Sequence, residues 1–168
     1  MRELLEEYVP RVYRFALRLA NDPHIAEDLT QETMLRAWRK RELLREPGAA
    51  RVWLFRITVN LWQDWLRRGR SLVAQAGSLP PDQPDRGRTP DDQLANEESV
   101  HLALQSLQEL PEGQRQALYL RACEGLSAEE IALVLGTSAN SVKASLCVAR
   151  KKLREQLREL FENLSMIL

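Results

Sequence analysis

A break near the middle of the chain constrains its fold more than any other feature. Residues 69–96, GRSLVAQAGSLPPDQPDRGRTPDDQLAN, hold four of the eight Pro and three of the seven Gly in 168 residues. Pro removes a backbone donor and fixes φ, and Gly carries the largest backbone entropy, so neither a helix nor a ladder strand is expected through such a density of both. No hydrophobic period persists there either. The stretch is read as an acidic, flexible linker between two pieces of roughly 70 residues. On both sides of it strand-like alternation is absent and apolar residues recur at spacings of three and four. The expected fold is therefore all-α: two small helical domains, residues 1–70 and 98–168, joined by a flexible linker over 71–97, the second containing a helix-turn-helix.

In the first piece, Val9, Val12, Tyr13, Ala16 and Ala20 form a helical stripe, with Pro10 expected in the first turn of that helix. Asn21-Asp22-Pro23 ends it. A second helix is expected from about His24 to Lys40, with Ala26, Leu29, Thr33 and Ala37 on one side and Asp28, Gln31, Glu32 and Leu35 on the other. That second side fits either a partner-binding patch or a solvated face with one stray Leu. Lys40–Ala50, with Pro47-Gly48, reads as a loop or broken helix. A third helix is expected from about Ala50 to Arg68. Leu54, Phe55, Thr58, Val59, Leu61, Trp62, Trp65 and Leu66 share its core face. The opposite face carries Trp53, Arg56, Asn60, Gln63, Asp64 and Arg67. An indole among guanidinium and amide groups suits single-stranded nucleic acid: Arg meets phosphates, the ring stacks on bases, and amides read base edges. Packing of Trp53 on a neighbouring helix is the alternative.

In the second piece, Leu102, Leu104, Leu107 and Leu110 lead to a break at Leu110-Pro111-Glu112-Gly113. A helix is expected from about Gly113 to Cys123, ended by Gly125. Ser127-Ala128-Glu129-Glu130 reads as a capping box opening a helix over Ala128–Leu135 that stops at Gly136. Thr137-Ser138 would cap a long helix from about Ala139 to Leu160. Ala132, Gly136 and Val142 stand at helix-turn-helix offsets; an αα-hairpin without DNA binding is the alternative. Val142, Leu146, Ala149, Leu153 and Leu157 form the buried stripe of the last helix, and Asn140, Lys143, Ala144, Cys147 and Lys151 point away from it. Asn140 suits adenine and Ala144 a thymine methyl, while Lys143, Arg150, Lys151, Lys152 and Arg154 supply charge for phosphates.

Charge sharpens the comparison. The chain has 24 basic and 24 acidic residues, a formal net charge of zero, which superficially disfavours a polyanion partner. The zero is unevenly built. Residues 36–70 hold ten basic and three acidic residues, and 143–158 hold six and one. Residues 1–35 hold four and seven, and 71–98 hold two and six. Two basic segments are masked by two acidic ones, and a chain balanced in this way is expected to bind free duplex weakly. Cys123 and Cys147, with His24 and His101, offer no metal-ligand spacing and no disulfide framework. No apolar run approaches the ~18 residues of a membrane span, and MRELLEEYVP lacks the apolar stretch of a signal peptide. A cytoplasmic location is expected, with no cofactor, no metal and no membrane insertion. No His, Cys or carboxylate constellation suggests an enzyme.

The combination resembles the sigma-70 family of bacterial RNA polymerase, and within it the extracytoplasmic-function (ECF) class. Ala26-Glu27-Asp28-Leu29-Thr30-Gln31-Glu32-Thr33-Met34 with Leu35-Arg36-Ala37-Trp38, then Trp53-Leu54-Phe55-Arg56-Ile57 with Asn60 and Asp64, resemble region 2. Leu110-Pro111 with Arg115, Gly125-Leu126-Ser127, Glu130-Ile131-Ala132, Leu135-Gly136 and Val142-Lys143 resemble region 4. The short linker in place of a region-3 domain points to the ECF class.

The resemblance implies an alternative sigma factor that binds core polymerase and directs promoter recognition, with core polymerase, promoter DNA and an anti-sigma factor as partners. Asp28, Leu29, Gln31, Glu32 and Leu35 would meet the β′ clamp helices. Trp53, Arg56, Asn60, Gln63, Asp64 and Arg67, with the Lys40–Ala50 loop, would open the −10 element around a flipped base. Arg115, Ser138, Asn140, Ser141, Lys143, Ala144, Cys147, Arg150 and Lys151 would read the −35 element, and the same lobe would dock on the β flap. The linker would thread the active-site and RNA-exit channels. In two places where the family commonly has Arg this chain has Ser145 and Val148, which implies fewer phosphate contacts. That departure favours a second reading, a sigma-like decoy that binds core polymerase or an anti-sigma factor without productive promoter recognition. A conventional helix-turn-helix repressor would leave the first lobe unexplained.

Overall fold

The computed structural model forms two units, Met1–Arg88 and Thr89–Leu168. The structure describes residues 2–44, 46–76 and 110–167. Most of the expected linker, together with Leu102, Leu104 and Leu107, lies outside the described residues. All regular structure among the described residues is helical. The first unit has α1 (Arg2–Ala20), α2 (Pro23–Arg39), two 3-10 turns (Arg41–Leu43 and Pro47–Ala49) and α3 (Ala50–Ala76). The second has α4 (Glu112–Ala122), α5 (Ala128–Leu135) and α6 (Ala139–Ile167).

Local chemistry accounts for the joints of the first unit. Asn21 takes φ 51°, a left-handed conformation that Asn tolerates, and its N–H closes α1 on the Leu17 carbonyl at 2.8 Å. Asp22 then caps α2, its carboxylate accepting from the N–H groups of His24 (2.8 Å) and Ile25 (3.0 Å), with Pro23 at the first helical position. Pro10 is the first correction: it lies inside α1, which already begins at Arg2, rather than in its first turn. The preceding turns are held by Leu5, which is buried, and Pro10 and Glu6 lie on the exposed side. The carbonyl that loses its donor is therefore on the solvent side of the helix.

The three helices enclose one small core. Ala26, Leu29, Thr33 and Ala37 of α2 are buried, as their spacing predicts. Phe15 of α1 and Phe55 of α3 meet edge to face, 5.2 Å between centroids at 78°. Thr33 and Thr58 join α2 to α3 in the buried interior at 3.2 Å. The Thr58 hydroxyl donates to the Leu54 carbonyl, so Thr33 is the donor of the pair and each proton has an acceptor.

α3 outruns the helices that cover it. Its 27 residues extend about 40 Å, against about 28 Å for the 19 of α1 and about 26 Å for the 17 of α2. This corrects the expected end at Arg68, and the assignment of Trp65 to the core is corrected as well. Trp62 is buried, but Trp65 is 40% exposed and lies flat on the Trp62 ring at 5.1 Å and 10°. Val9, placed in the α1 stripe, is 39% exposed.

The second unit is built on Leu110, Ala117, Leu120, Leu126, Ile131, Val134, Val142, Leu146 and Ala149, all buried. Leu153 is half-buried, and the Leu157 side chain lies outside the described residues. The capping box forms: Glu130 N–H donates to Ser127 Oγ at 3.1 Å, and Ser127 N–H donates to Glu130 Oε2 at 2.7 Å. Gly136, at φ 67°, ends α5 while Thr137 N–H returns to the Ala132 carbonyl at 3.1 Å. Ser138 Oγ accepts from Ser141 N–H and opens α6. Across residues 136–138 the chain bends by 103°, the angle of a helix-turn-helix.

Nothing lies within 4 Å of a Cβ built on Gly136, so a substitution there meets only backbone strain. Gly136→Ala should therefore destabilise the second unit by about 1 kcal/mol, and Gly136→Asn by less. All four Trp lie between residues 38 and 65. The expected result is a lower far-UV circular dichroism transition for Gly136→Ala with the tryptophan fluorescence transition unchanged.

Candidate functional site

Three surfaces carry the candidate residues. On α2, the helical spacing that buries Ala26, Leu29, Thr33 and Ala37 turns Asp28, Gln31 and Leu35 outward, with Leu35 at 43% exposure. Glu32 is half-buried and its Oε1 accepts from Arg36 Nε at 2.7 Å one turn along. Leu29 does not belong to this surface. It is 5% exposed and faces the core, because its position on the helix wheel is that of Ala26 and Thr33. The surface extends instead to Trp38, 44% exposed and one turn after Leu35; Leu43, in the 3-10 turn beyond the helix, is also exposed. Arg41 stands 4.9 Å over the Trp38 ring and donates to the Trp38 carbonyl at 3.1 Å, fixing the indole outward. The sequence reading missed Trp38, although it stands three residues after Leu35.

On α3, residues 53, 56, 60, 63 and 67 follow one another at three and four along the side away from the core. Arg56, Asn60, Gln63 and Arg67 are exposed, whereas Trp53 is half-buried. Asp64 is half-buried and pairs with Arg67, which partly neutralises the end of the stripe. A half-buried indole, two guanidinium groups and two amides thus line one rail of the helix. Such a rail can contact a backbone, stack on one base and read another base's edge.

On the second unit, the turn at Gly136 and the burial of Val142, Leu146 and Ala149 present the opposite side of α6 to solvent. Asn140, Ser141, Lys143, Ala144, Cys147, Arg150 and Lys151 are all exposed. Ser138 is exposed too, but its hydroxyl oxygen is occupied as the helix cap. Arg115 stands on α4 and is half-buried. Val148 is 44% exposed and Ser145 half-buried, so the two places without Arg lie on or beside the outward side. Cys123 and Cys147 are free thiols. Two features here had escaped sequence reading. Leu133 on α5 is 55% exposed. Glu129, also on α5, binds Lys143 of α6 with Oε1–Nζ at 3.0 Å. No spacing rule within one helix reaches a partner fourteen residues away on the next.

Known proteins align with both units. Residues 4–72 match the family model described as Sigma-70 region 2, and residues 101–153 match Sigma-70, region 4. The ECF RNA polymerase sigma factor SigE of Mycolicibacterium smegmatis is 39% identical over 159 residues; the alignment covers 92% of this chain and 60% of SigE, so this chain spans less than two thirds of that relative's length. The ECF RNA polymerase sigma factor SigL of Mycobacterium tuberculosis is 34% identical over 166 residues, covering 95% of this chain and 90% of SigL. Among solved structures, the sigma factor RpoE of Bartonella quintana, crystallised with the anti-sigma factor NepR, is similar with a TM-score of 0.76 at 26% identity, covering 94% of this chain and 96% of that one. With a region-2 lobe, a region-4 lobe and a relative aligned over nearly its whole length, the chain belongs to the ECF sigma factors of the sigma-70 family.

Proposed function

We propose that the chain is an alternative sigma factor that binds core RNA polymerase, opens the −10 element with its first lobe and reads the −35 element as duplex with its second. The observation that carries this reading is the division of labour among three outward helix faces. An acidic and apolar face lies on α2, an amide, Arg and indole rail on α3, and a basic helix-turn-helix face on α6. The first suits a protein partner and the other two suit nucleic acid. The lobes correspond to residues 1–70 and 98–168. The chain contributes no catalytic centre; the polymerase does the chemistry, and the factor acts in the cytoplasm. Its relative RpoE is held by an anti-sigma factor, and we assign the same class of inhibitory partner to this chain.

Run-off transcription with core polymerase, followed by sequencing of the start sites, tests the proposal. The expected result is specific transcripts from a subset of genomic promoters that share two spaced elements. Binding to core with no transcript from any genomic template would sink it. One observation favours that outcome: Val148 and Ser145 leave the outward side of α6 without two arginines. A decoy that occupies core polymerase or an anti-sigma factor is therefore the second reading.

A further inference from the structure

The ion pair between Glu129 and Lys143 is placed where a DNA-facing lysine would otherwise stand free. Arg2–Glu6, Glu32–Arg36, Asp64–Arg67 and Lys151–Glu155 each join neighbours within one helix. Glu129–Lys143 instead ties the first helix of the helix-turn-helix to the second, at 3.0 Å with both side chains largely exposed. Glu129 follows Ser127 and Ala128 at the start of α5. The capping box there already commits the Ser127 N–H to the Glu130 carboxylate and the Glu130 N–H to the Ser127 hydroxyl. Two carboxylates therefore stand at the end of the helix that, in a helix-turn-helix, crosses the phosphate backbone. The hydrogen bond from Lys143 lowers the pKa of the Glu129 carboxyl from its ordinary value.

We infer that Glu129 is a specificity-determining residue that withholds Lys143 from the phosphates of non-promoter DNA. The inference rests on the reading of the second lobe as a duplex reader. A phosphate approaching this part of α6 meets an ammonium already engaged and a carboxylate that repels it. Non-specific affinity consists almost entirely of such phosphate contacts, so losing one from a short list weakens it in proportion. At a promoter, the polymerase and the base-facing residues hold the lobe in register, and an exposed ion pair is weak enough to be exchanged for a phosphate. Affinity is thus reduced where only charge is recognised and retained where sequence is also recognised, which widens the ratio between the two.

The test uses the full chain and a labelled duplex without promoter elements, with binding followed by fluorescence anisotropy between 50 and 200 mM salt. Glu129→Gln keeps the shape and removes the charge. It should bind more tightly at 50 mM and steepen the slope of log K against log salt by about 0.9, the value of one phosphate contact. Over that range the variant should lose roughly three- to fourfold more affinity than the parent chain. The double variant Glu129→Gln with Lys143→Gln should return to the parental slope. An unchanged slope in Glu129→Gln overturns the inference. A steeper slope that persists in the double variant also overturns it, because the carboxylate would then act by general repulsion and not through Lys143. A parallel measurement separates this failure from failure of the parent reading. If Asn140→Ala and Arg150→Ala leave promoter use by the holoenzyme untouched, the second lobe does not read duplex and both ideas fall. If they reduce promoter use while Glu129→Gln leaves the slope unchanged, only the role of Glu129 falls.

Discussion

Replacing Trp53 and Asn60 together by Ala should leave the chain bound to core polymerase and deprive the holoenzyme of promoter opening. The physical reason lies in what opening costs. Extruding a base from a duplex takes a few kcal/mol, which must be recovered from contacts made only with the opened strand. Trp53 presents part of an indole at the surface of α3, and Asn60 stands two turns further along the same rail, fully outward. A stacked aromatic contributes ~1–3 kcal/mol per base. A well-placed amide contributes ~1–3 kcal/mol of discrimination at a base edge. Even the low ends together amount to about 2 kcal/mol, roughly a 30-fold loss in the fraction of promoter opened. Core binding is expected to persist because neither residue belongs to the α2 face. Permanganate reactivity of unpaired thymines measures the first effect, and co-elution with core polymerase the second. A variant that opens promoters normally would remove α3 from the −10 assignment. One that no longer co-elutes would place polymerase contacts on the helix read here as the nucleic-acid rail.

Trp53 also marks the boundary of what the residues alone reveal. Periodicity places it correctly on the side away from Leu54 and Phe55, but says nothing of how far the rest of the lobe wraps around that side. The indole is half-buried, an extent that periodicity does not specify. Features that depend on neighbours in sequence were legible in advance. The Ser127–Glu130 capping box, the helix end at Gly136, the Ser138 cap and the buried stripe of Val142, Leu146 and Ala149 are all decided within a few residues. The misses share the opposite origin. Trp65 has the helical phase of a core residue, yet it is exposed and stacked on the Trp62 ring. Pro10 has the chemistry of a helix start and sits mid-helix because Leu5 has a place in the core beyond it. Glu129 is paired because the turn at residues 136–138 sets α6 across α5. In each case a tertiary relation decides the outcome, and no window of one helix contains it.

Reversing the charge of α2, by Asp28→Lys or Glu32→Lys, should do the converse of the α3 substitutions and sharply weaken assembly of the holoenzyme. This face combines two carboxylates with an amide and two outward apolar side chains, Leu35 and Trp38. That is the composition of a protein interface, in which apolar groups supply area and charges supply register. Truncating one partner of a hydrogen-bonded charge pair in an interface costs about 2–5 kcal/mol, and reversal adds repulsion. Affinity for core should therefore fall by roughly 30-fold at the least. The two positions should differ in a way the structure specifies. Asp28 is exposed, so its reversal changes one charge in an otherwise unaltered surface. Glu32 holds Arg36 at 2.7 Å, so Glu32→Lys also frees that guanidinium beside the new ammonium and makes the whole turn basic. Glu32→Lys is accordingly expected to be the more damaging of the two, and adding Arg36→Ala to it should restore part of the loss. Arg36→Ala alone should weaken core binding only slightly. Competition with a labelled parent chain for limiting core polymerase gives all four affinities on one scale. If the charge-reversed chains assemble normally and fail only at promoter opening, the acidic face of α2 meets something other than the polymerase, and the assignment of the first lobe's two faces must be exchanged.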